Sequence, residues 1–262
     1  MPPFRLSPRA AETIAFVGVL LMLTSFISLV LSPAPILPRP LITSHNKAEP
    51  FALVILDPGH GGQDSGATAG GLLEKDLTLD LAQRVGRLLG ARGLSTLLTR
   101  TTDSYVSLGD RAQLINRAND AVLVSIHFND GPRPEASGIE TYFAAQQATG
   151  MPVIASWLPF LQKAANPRPN PASQSLARFI QQELVARTQA VDRGTKAQQF
   201  YVLANVRHPA VLVEGGFLTS KSDIGKLADA EYREQLATAI TDGILQYRNT
   251  IKALTGDIAV RE

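Results

Sequence analysis

Two of the four histidines in this chain follow apolar segments whose composition predicts buried strands. His60 closes the loop DPGH after the run FALVIL, and His127 directly follows the run AVLVSI. Glu74 stands between them in sequence, at the start of an amphipathic segment. Because ligands of open α/β sheets gather beyond the carboxyl ends of the strands, these three side chains could converge on one ion. Two histidines and a glutamate form a catalytic zinc set that leaves a fourth position for water.

Each of these residues also has an ordinary structural explanation. A single histidine after a strand is more often a hydrogen-bonded cap than a ligand, and the helix dipole favours a glutamate at a helix start. The three residues are also far apart in sequence, which makes their pattern less specific than a compact H-E-x-x-H helix. The spacing alone therefore fits both a metal site and three separate structural roles.

Glu214 is a further candidate for chemistry. It follows the apolar run AVLV and precedes two glycines, a setting that core packing explains poorly. A surface position at a turn is the alternative. Beside a metal-bound water, a partly desolvated glutamate is suited to act first as a general base and then as a general acid.

Four other polar residues lie near these positions in sequence or in the predicted elements. Asn129 is a candidate substrate-positioning donor, with a turn residue as the alternative. Asp57 either accepts a hydrogen bond from His60 and orients it, or caps its own turn. We expect Arg100 and Arg111 to form structural ion pairs rather than to contact substrate.

The elements that must position these residues alternate between apolar runs and segments of helical periodicity. This alternation predicts an α/β fold, a single domain with a central mostly parallel or mixed sheet flanked by helices. The predicted strands are 51–56, 94–99, 121–126, 138–143, 199–202 and 210–214, and the predicted helices are 77–89, 111–119, 175–190 and 229–252.

The composition narrows the chemistry further. The chain has 262 residues, 45% of them hydrophobic, which suits one large domain with a substantial core. It contains no cysteine, so disulfides, thiolate metal sites and cysteine nucleophiles are excluded. A net charge of +2 without a basic, aromatic-interleaved stripe argues against nucleic acid as a partner. Any metal must therefore be held by imidazole and carboxylate groups.

The N-terminal part predicts export from the cytoplasm. Arg5 and Arg9 precede the uncharged apolar run 13–31, the pattern of a signal peptide. The run is also close to the ~20 residues that span a bilayer, so residues 1–31 are either a cleaved signal or a retained inner-membrane anchor. Residues 32–50 contain five prolines and predict an extended linker. We expect the folded domain to cover 51–254, followed by a tail at 255–262, and to lie in the periplasm or cell envelope.

A family resemblance rests on a set of segments that occur in a fixed order. From 54 to 254 the chain resembles the zinc-dependent N-acetylmuramoyl-L-alanine amidases of the AmiA/AmiB/AmiC type. The segments are VILDPGHGGQDSGA, LLEKDLTLDLA, LTRTTDSYVSLGDRAQLINRAN, VSIHFN, SGIETYF, RGTKAQQFYVL and PAVLVEGGFLT. The resemblance implies that His60, Glu74 and His127 bind Zn²⁺ and that Glu214 is the catalytic carboxylate. It also implies cleavage of the amide between N-acetylmuramic acid and L-alanine in peptidoglycan, in cell-wall remodelling or cell separation.

The sequence departs from the family pattern at two places. After the catalytic glutamate the family continues as F-x-x-N-x-x-E, whereas this chain has FLTSKSD, a change that concerns helix capping and rim contacts rather than the metal. An insertion at about 144–172 is the second departure. In some relatives an inserted helix covers the site and supplies a glutamate to zinc, but 141–182 contains no acidic residue here. The insertion, with Trp157 and Phe160, could still cover the site sterically, contact an activator protein or the membrane, or form a local hydrophobic cluster.

Two other functions remain as alternatives. One is a non-catalytic or regulatory peptidoglycan-binding protein that retains the amidase fold, and the presence of all four key residues counts against it. The other is a zinc peptidase acting on the stem peptide, which the ordered set of segments disfavours.

Overall fold

A mixed six-stranded sheet organises the chain in the computed structural model, which describes residues 49–147 and 170–259. Its strands lie in the order β4-β1-β5-β8-β6-β7. The first four are mutually parallel, whereas β6 runs antiparallel to β8 and β7 runs parallel to β6. The strands are β1 (Leu53–Pro58), β4 (Ser95–Leu98), β5 (Ala121–Asn129), β6 (Ile139–Phe143), β7 (Asp192–Ala197) and β8 (Ala210–Phe217). A separate two-stranded ribbon consists of β2 (Thr68–Ala69) and β3 (Leu72–Leu73).

Two of the helices in the described residues begin at a side chain that caps the helix. Ser107 accepts a hydrogen bond from the backbone N–H of Asp110 at the start of α2, and Asn170 caps α3 just before Pro171. The helices are α1 (Glu74–Ala91), α2 (Leu108–Arg117), α3 (Pro171–Thr188), α4 (Tyr201–Ala204), α5 (Ile224–Ala228) and α6 (Ala230–Ala259). No helix within 49–147 and 170–259 is both long and apolar enough to cross a bilayer.

The two faces of the sheet are covered unequally. One face carries a large apolar cluster packed against α1, α3 and α6, and the other carries a smaller cluster packed against α2 and α4. Strand β5 contributes to both because its side chains alternate, with Val122 and Val124 in the large cluster and Leu123 in the small one. His127 therefore lies on the face of the smaller cluster, near the carboxyl end of β5.

The predicted fold class is confirmed, and one predicted strand is wrong. The segment 199–202 is not a strand, because Tyr201–Ala204 forms the short helix α4. The strand of this region is instead Asp192–Ala197, an exposed edge strand whose polar sequence DRGTKA has no apolar alternation to reveal it. Strands β5 and β8 also run further than predicted, to Asn129 and Phe217. The predicted N-terminal segment 1–31, most of the linker 32–50 and most of the insertion 144–172 lie outside the described residues.

Candidate metal centre

His60, Glu74 and His127 converge at the carboxyl end of the central strands. One donor atom from each residue lies within 4.8 Å of the others. Glu74 Oε1 is 3.1 Å from His60 Nε2 and 3.0 Å from His127 Nδ1. The three residues come from different elements: the loop after β1, the first residue of α1, and β5. The structure thus brings together the three residues that strand-end placement had suggested.

Two glycines leave the space that these side chains occupy. A Cβ on Gly59 would lie 2.2 Å from Cε1 of His127. A Cβ on Gly66 would lie 2.5 Å from Oε2 of Glu74, and the φ of +64° at this residue also favours glycine. The positions of the His127 imidazole and the Glu74 carboxylate therefore require glycine at 59 and 66, in the loop between β1 and α1.

Two buried arginines hold the loop that carries His60. Arg100 donates through Nη2 to the carbonyls of Gly59 and Lys75, at 2.8 and 2.7 Å. Arg111 donates to the carbonyl of His60 at 2.6 Å and forms an ion pair with Asp57 at 2.7 Å. The ion pair predicted for Arg111 is thus present. The hydrogen bonds of Arg100 instead join it to backbone carbonyls and to the Thr78 hydroxyl. The two guanidinium groups connect the His60 loop to the start of α1.

The residue that orients His60 is Asp64. Its Oδ2 atom lies 2.9 Å from Nδ1 of His60, which leaves Nε2 directed at Glu74. Asp57 has neither of the two roles considered for it, orientation of His60 or capping of its own turn. Its side chain is buried, and its carboxylate accepts hydrogen bonds from Arg111, Thr99 and Ser125. Asp57 lies within β1, so its side chain points to a face of the sheet rather than beyond the strand end.

The charges of the cluster suit metal binding. Burial opposes ionisation of Glu74, but hydrogen bonds and positive charge from His127 and His60 hold its pKa well below the usual range. Its carboxylate also accepts hydrogen bonds from the backbone N–H groups of Ala67 and Phe128, at 2.8 and 3.1 Å. Burial alone would lower the pKa of His60, but Glu74 and Asp64 raise it. Glu74 is thus an ionised carboxylate between two imidazoles, a donor set that zinc accepts.

Glu214 lies directly beside this cluster. It pairs in register with His127 on β5 and with Glu140 on β6, so the three side chains project from the same face of the sheet. Its Oε2 atom is buried and has no hydrogen-bond partner in the described part of the chain. Burial, with the nearby charges of Glu74 and Glu140, raises the pKa of Glu214 well above its ordinary value. This carboxyl group is therefore placed to hold and release a proton next to the three donors.

The Asn129 side chain points along the same face. Its amide nitrogen donates to Oε1 of Glu140 at 2.6 Å. Sequence reasoning missed Glu140. This buried carboxylate also accepts hydrogen bonds from Tyr142, Arg193 and Lys196. The segment SGIETYF contained it, but its partners on β7 lie more than 50 residues away in sequence.

Comparisons with known proteins show which family this chain is similar to in sequence and fold. Residues 54–246 match the model of the family described as N-acetylmuramoyl-L-alanine amidase. The N-acetylmuramoyl-L-alanine amidase LytC of Bacillus subtilis is 38% identical over 74% of this chain, and the match spans 35% of LytC. A solved N-acetylmuramoyl-L-alanine amidase of Clostridium difficile 630 superposes with a TM-score of 0.64 at 34% identity, over 76% of this chain and 97% of that one. The CwlD amidase of Clostridioides difficile, solved in complex with the GerS lipoprotein, has a TM-score of 0.65 at 27% identity, over 76% and 99% of the two chains.

Proposed function

Because this chain belongs to the N-acetylmuramoyl-L-alanine amidase family, we propose that His60, Glu74 and His127 hold the zinc ion of a peptidoglycan amidase. The bond hydrolysed is the amide between N-acetylmuramic acid and L-alanine. The observation that carries the proposal is the convergence of two imidazoles and one ionised carboxylate beside Glu214. This chain matches only 35% of the length of LytC. The activity of the whole protein is therefore also a proposal.

In this proposal three residues, His60, Glu74 and His127, bind the metal, and Glu214 transfers protons. When bound, zinc lowers the pKa of a water molecule to near neutrality and polarises the lactyl carbonyl. Glu214 takes a proton from the attacking water as its oxygen bonds to the carbonyl carbon. The same carboxyl group then delivers the proton to the alanine nitrogen as the carbon–nitrogen bond breaks. The products are a lactyl carboxylate on the sugar and a stem peptide with a free amino terminus.

Asp64 and the two buried arginines support this chemistry without touching the substrate. Asp64 fixes the ring of His60 through Nδ1, so that Nε2 faces the metal position. Arg100 and Arg111 hold the backbone from Pro58 to His60, which keeps the histidine at the strand end. We also propose that Asn129 positions substrate indirectly, by orienting Glu140.

Digestion of purified peptidoglycan by the full-length protein tests the function. Mass spectrometry should detect stem peptides that begin with L-alanine, and their release should stop with a chelator and in Glu214→Gln. Peptides with a different amino terminus would identify a stem-peptide peptidase instead. Sacculi left intact by zinc-loaded protein would indicate a non-catalytic wall-binding protein.

The place of action follows from the substrate, since the family acts on the cell wall. We propose that residues 1–31 direct export and, where retained, anchor the protein in the inner membrane. CwlD was solved with the GerS lipoprotein, which supports the further proposal that this chain binds an activator protein. We propose the insertion 144–172 as the segment that contacts this activator. Recovery of the intact chain in the membrane fraction after salt washing would support the anchor, and recovery of a chain shortened by 1–31 in the soluble fraction would contradict it.

A further inference from the structure

Two cations of the edge strand β7 share a single carboxylate. Arg193 Nε donates to Oε2 of Glu140 at 3.0 Å, and Lys196 Nζ donates to the same oxygen. The other oxygen, Oε1, accepts hydrogen bonds from the side chains of Asn129 and Tyr142. The Glu140 side chain is only 3% exposed, whereas those of Arg193 and Lys196 are 34% and 41% exposed. One buried negative charge is therefore covered by two half-exposed positive charges, which leaves a net charge of about +1 facing solvent.

This cluster lies close to the proposed metal centre. His127, Glu214 and Glu140 are neighbours in register across three adjacent strands. Since neighbouring strands are about 4.8 Å apart, the Cα of Glu140 lies roughly 10 Å from that of His127. An extended peptide advances roughly 3.4 Å per residue, so a peptide leaving the metal centre reaches the cluster within about three residues.

The guanidinium of Arg193 has hydrogen-bonding capacity left for a ligand. Nη1 makes one long bond of 3.5 Å to the carbonyl of Ser137, and Nη2 has no partner within the part of the chain that the structure describes. The group is also held over the ring of Phe217, with 4.8 Å from Cζ to the ring centroid. A planar guanidinium fixed in this way can bind a carboxylate through two parallel hydrogen bonds.

We propose that Arg193 and Lys196 form a subsite for a free carboxylate of the stem peptide, within three residues of the scissile amide. This inference rests on the proposed function, because it takes the peptide to leave from the metal centre. Glu140 orients the two cations, and it also competes with the substrate carboxylate for their charge. The enzyme should therefore prefer stem peptides whose acidic residue next to alanine keeps its carboxylate over those in which that group is amidated.

Two synthetic probes test the subsite: N-acetylmuramoyl-L-alanyl-D-glutamate and the same compound with the glutamate α-carboxylate converted to an amide. With the full-length zinc-loaded protein, kcat/KM should be about tenfold higher for the free carboxylate. Arg193→Gln should remove this preference by lowering kcat/KM for the acid alone, and Lys196→Met should reduce it. Glu140→Gln should increase the preference, because the competing anion is gone while the hydrogen-bonding shape remains. Binding of both probes to Glu214→Gln, measured by calorimetry, should give the same order without turnover.

A matched control is Arg187→Gln, since Arg187 is a half-exposed arginine paired with Asp242 on the helices. This variant should leave kcat/KM unchanged for both probes. Equal kcat/KM for the two probes in the wild type would overturn the subsite, as would an equal loss for both in Arg193→Gln, which would indicate a structural role. Failure of the free-carboxylate probe to bind at millimolar concentration would also overturn it. Failure of the wild type to release stem peptides from sacculi would instead count against the proposed function.

Discussion

Gly59→Ala is a single-methyl change that should displace a proposed metal ligand. The new Cβ would lie 2.2 Å from Cε1 of His127, 2.5 Å from Nε2 and 2.7 Å from Nδ1. Because ordinary contact begins at 3.4 Å, the imidazole must shift by about 1 Å. A metal site tolerates deviations of only about 0.2 Å in its ligand distances, so His127 would no longer reach the ion together with the other two ligands. We expect zinc affinity and turnover each to fall by about 100-fold or more.

The assay must separate this local effect from a folding defect. Zinc affinity is measured by competition with a chromogenic chelator, and folding by circular dichroism and thermal unfolding. Gly90→Ala is the matched control, because Gly90 lies in α1 with open space around its Cβ position. That change should leave zinc binding intact and stabilise the protein by about 0.5–1 kcal/mol. A folded Gly59→Ala protein that binds zinc as tightly as the wild type would refute the reasoning.

Three further predictions concern the residues around the centre. Asp64→Asn should weaken zinc binding by about 10–100-fold, because His60 loses its orienting carboxylate, and an unchanged affinity in chelator competition would contradict this role. Arg111→Met should lower the free energy of unfolding in urea by about 3–5 kcal/mol, since it leaves the carboxylate of Asp57 buried without its cation, and adding Asp57→Asn should restore part of the loss. Burial opposes ionisation of Asp57, but Arg111, Thr99 and Ser125 hold its pKa below the ordinary value. The stability from this ionised group is therefore fully present above the unfolded pKa of about 4 and is lost as the pH falls below it. Urea unfolding of Asp57→Asn between pH 6 and 3 should show a shallower decline than the wild type, and an identical decline would contradict the assignment.

Much of the fold could be predicted because the central strands carry their own signal. Strands β1, β5 and β8 are buried and nearly continuous in apolar residues, so their existence and their strand-end residues were visible in the sequence. The same strand ends brought His60 and His127 together as expected. Strand β7 gave no such signal, because an exposed polar edge strand has no apolar periodicity.

The parts of the site that escaped prediction depend on register and on loop geometry. Asp64 reaches His60 only because the glycine-rich loop turns back on itself, with Gly61 and Asp64 bridged. Arg193 and Lys196 meet Glu140 across the pairing of β6 and β7, which contains an irregularity in register between Ile139 and Thr141. Neither the turn nor that shift is encoded in hydrophobic spacing, so the contacts could not be read from the sequence.

Zinc binding by four single variants tests the central claim most directly. His60→Ala, Glu74→Ala, His127→Ala and Glu214→Gln are compared with the wild type for bound zinc per chain and for affinity under chelator competition. We predict one zinc ion in the wild type and in Glu214→Gln, which should nevertheless lose turnover by about 10²–10⁴-fold. The other three folded variants should bind zinc at least 100-fold more weakly. Retention of wild-type zinc affinity in any of these three, or loss of zinc in Glu214→Gln, would contradict the division between ligands and proton carrier proposed for this enzyme.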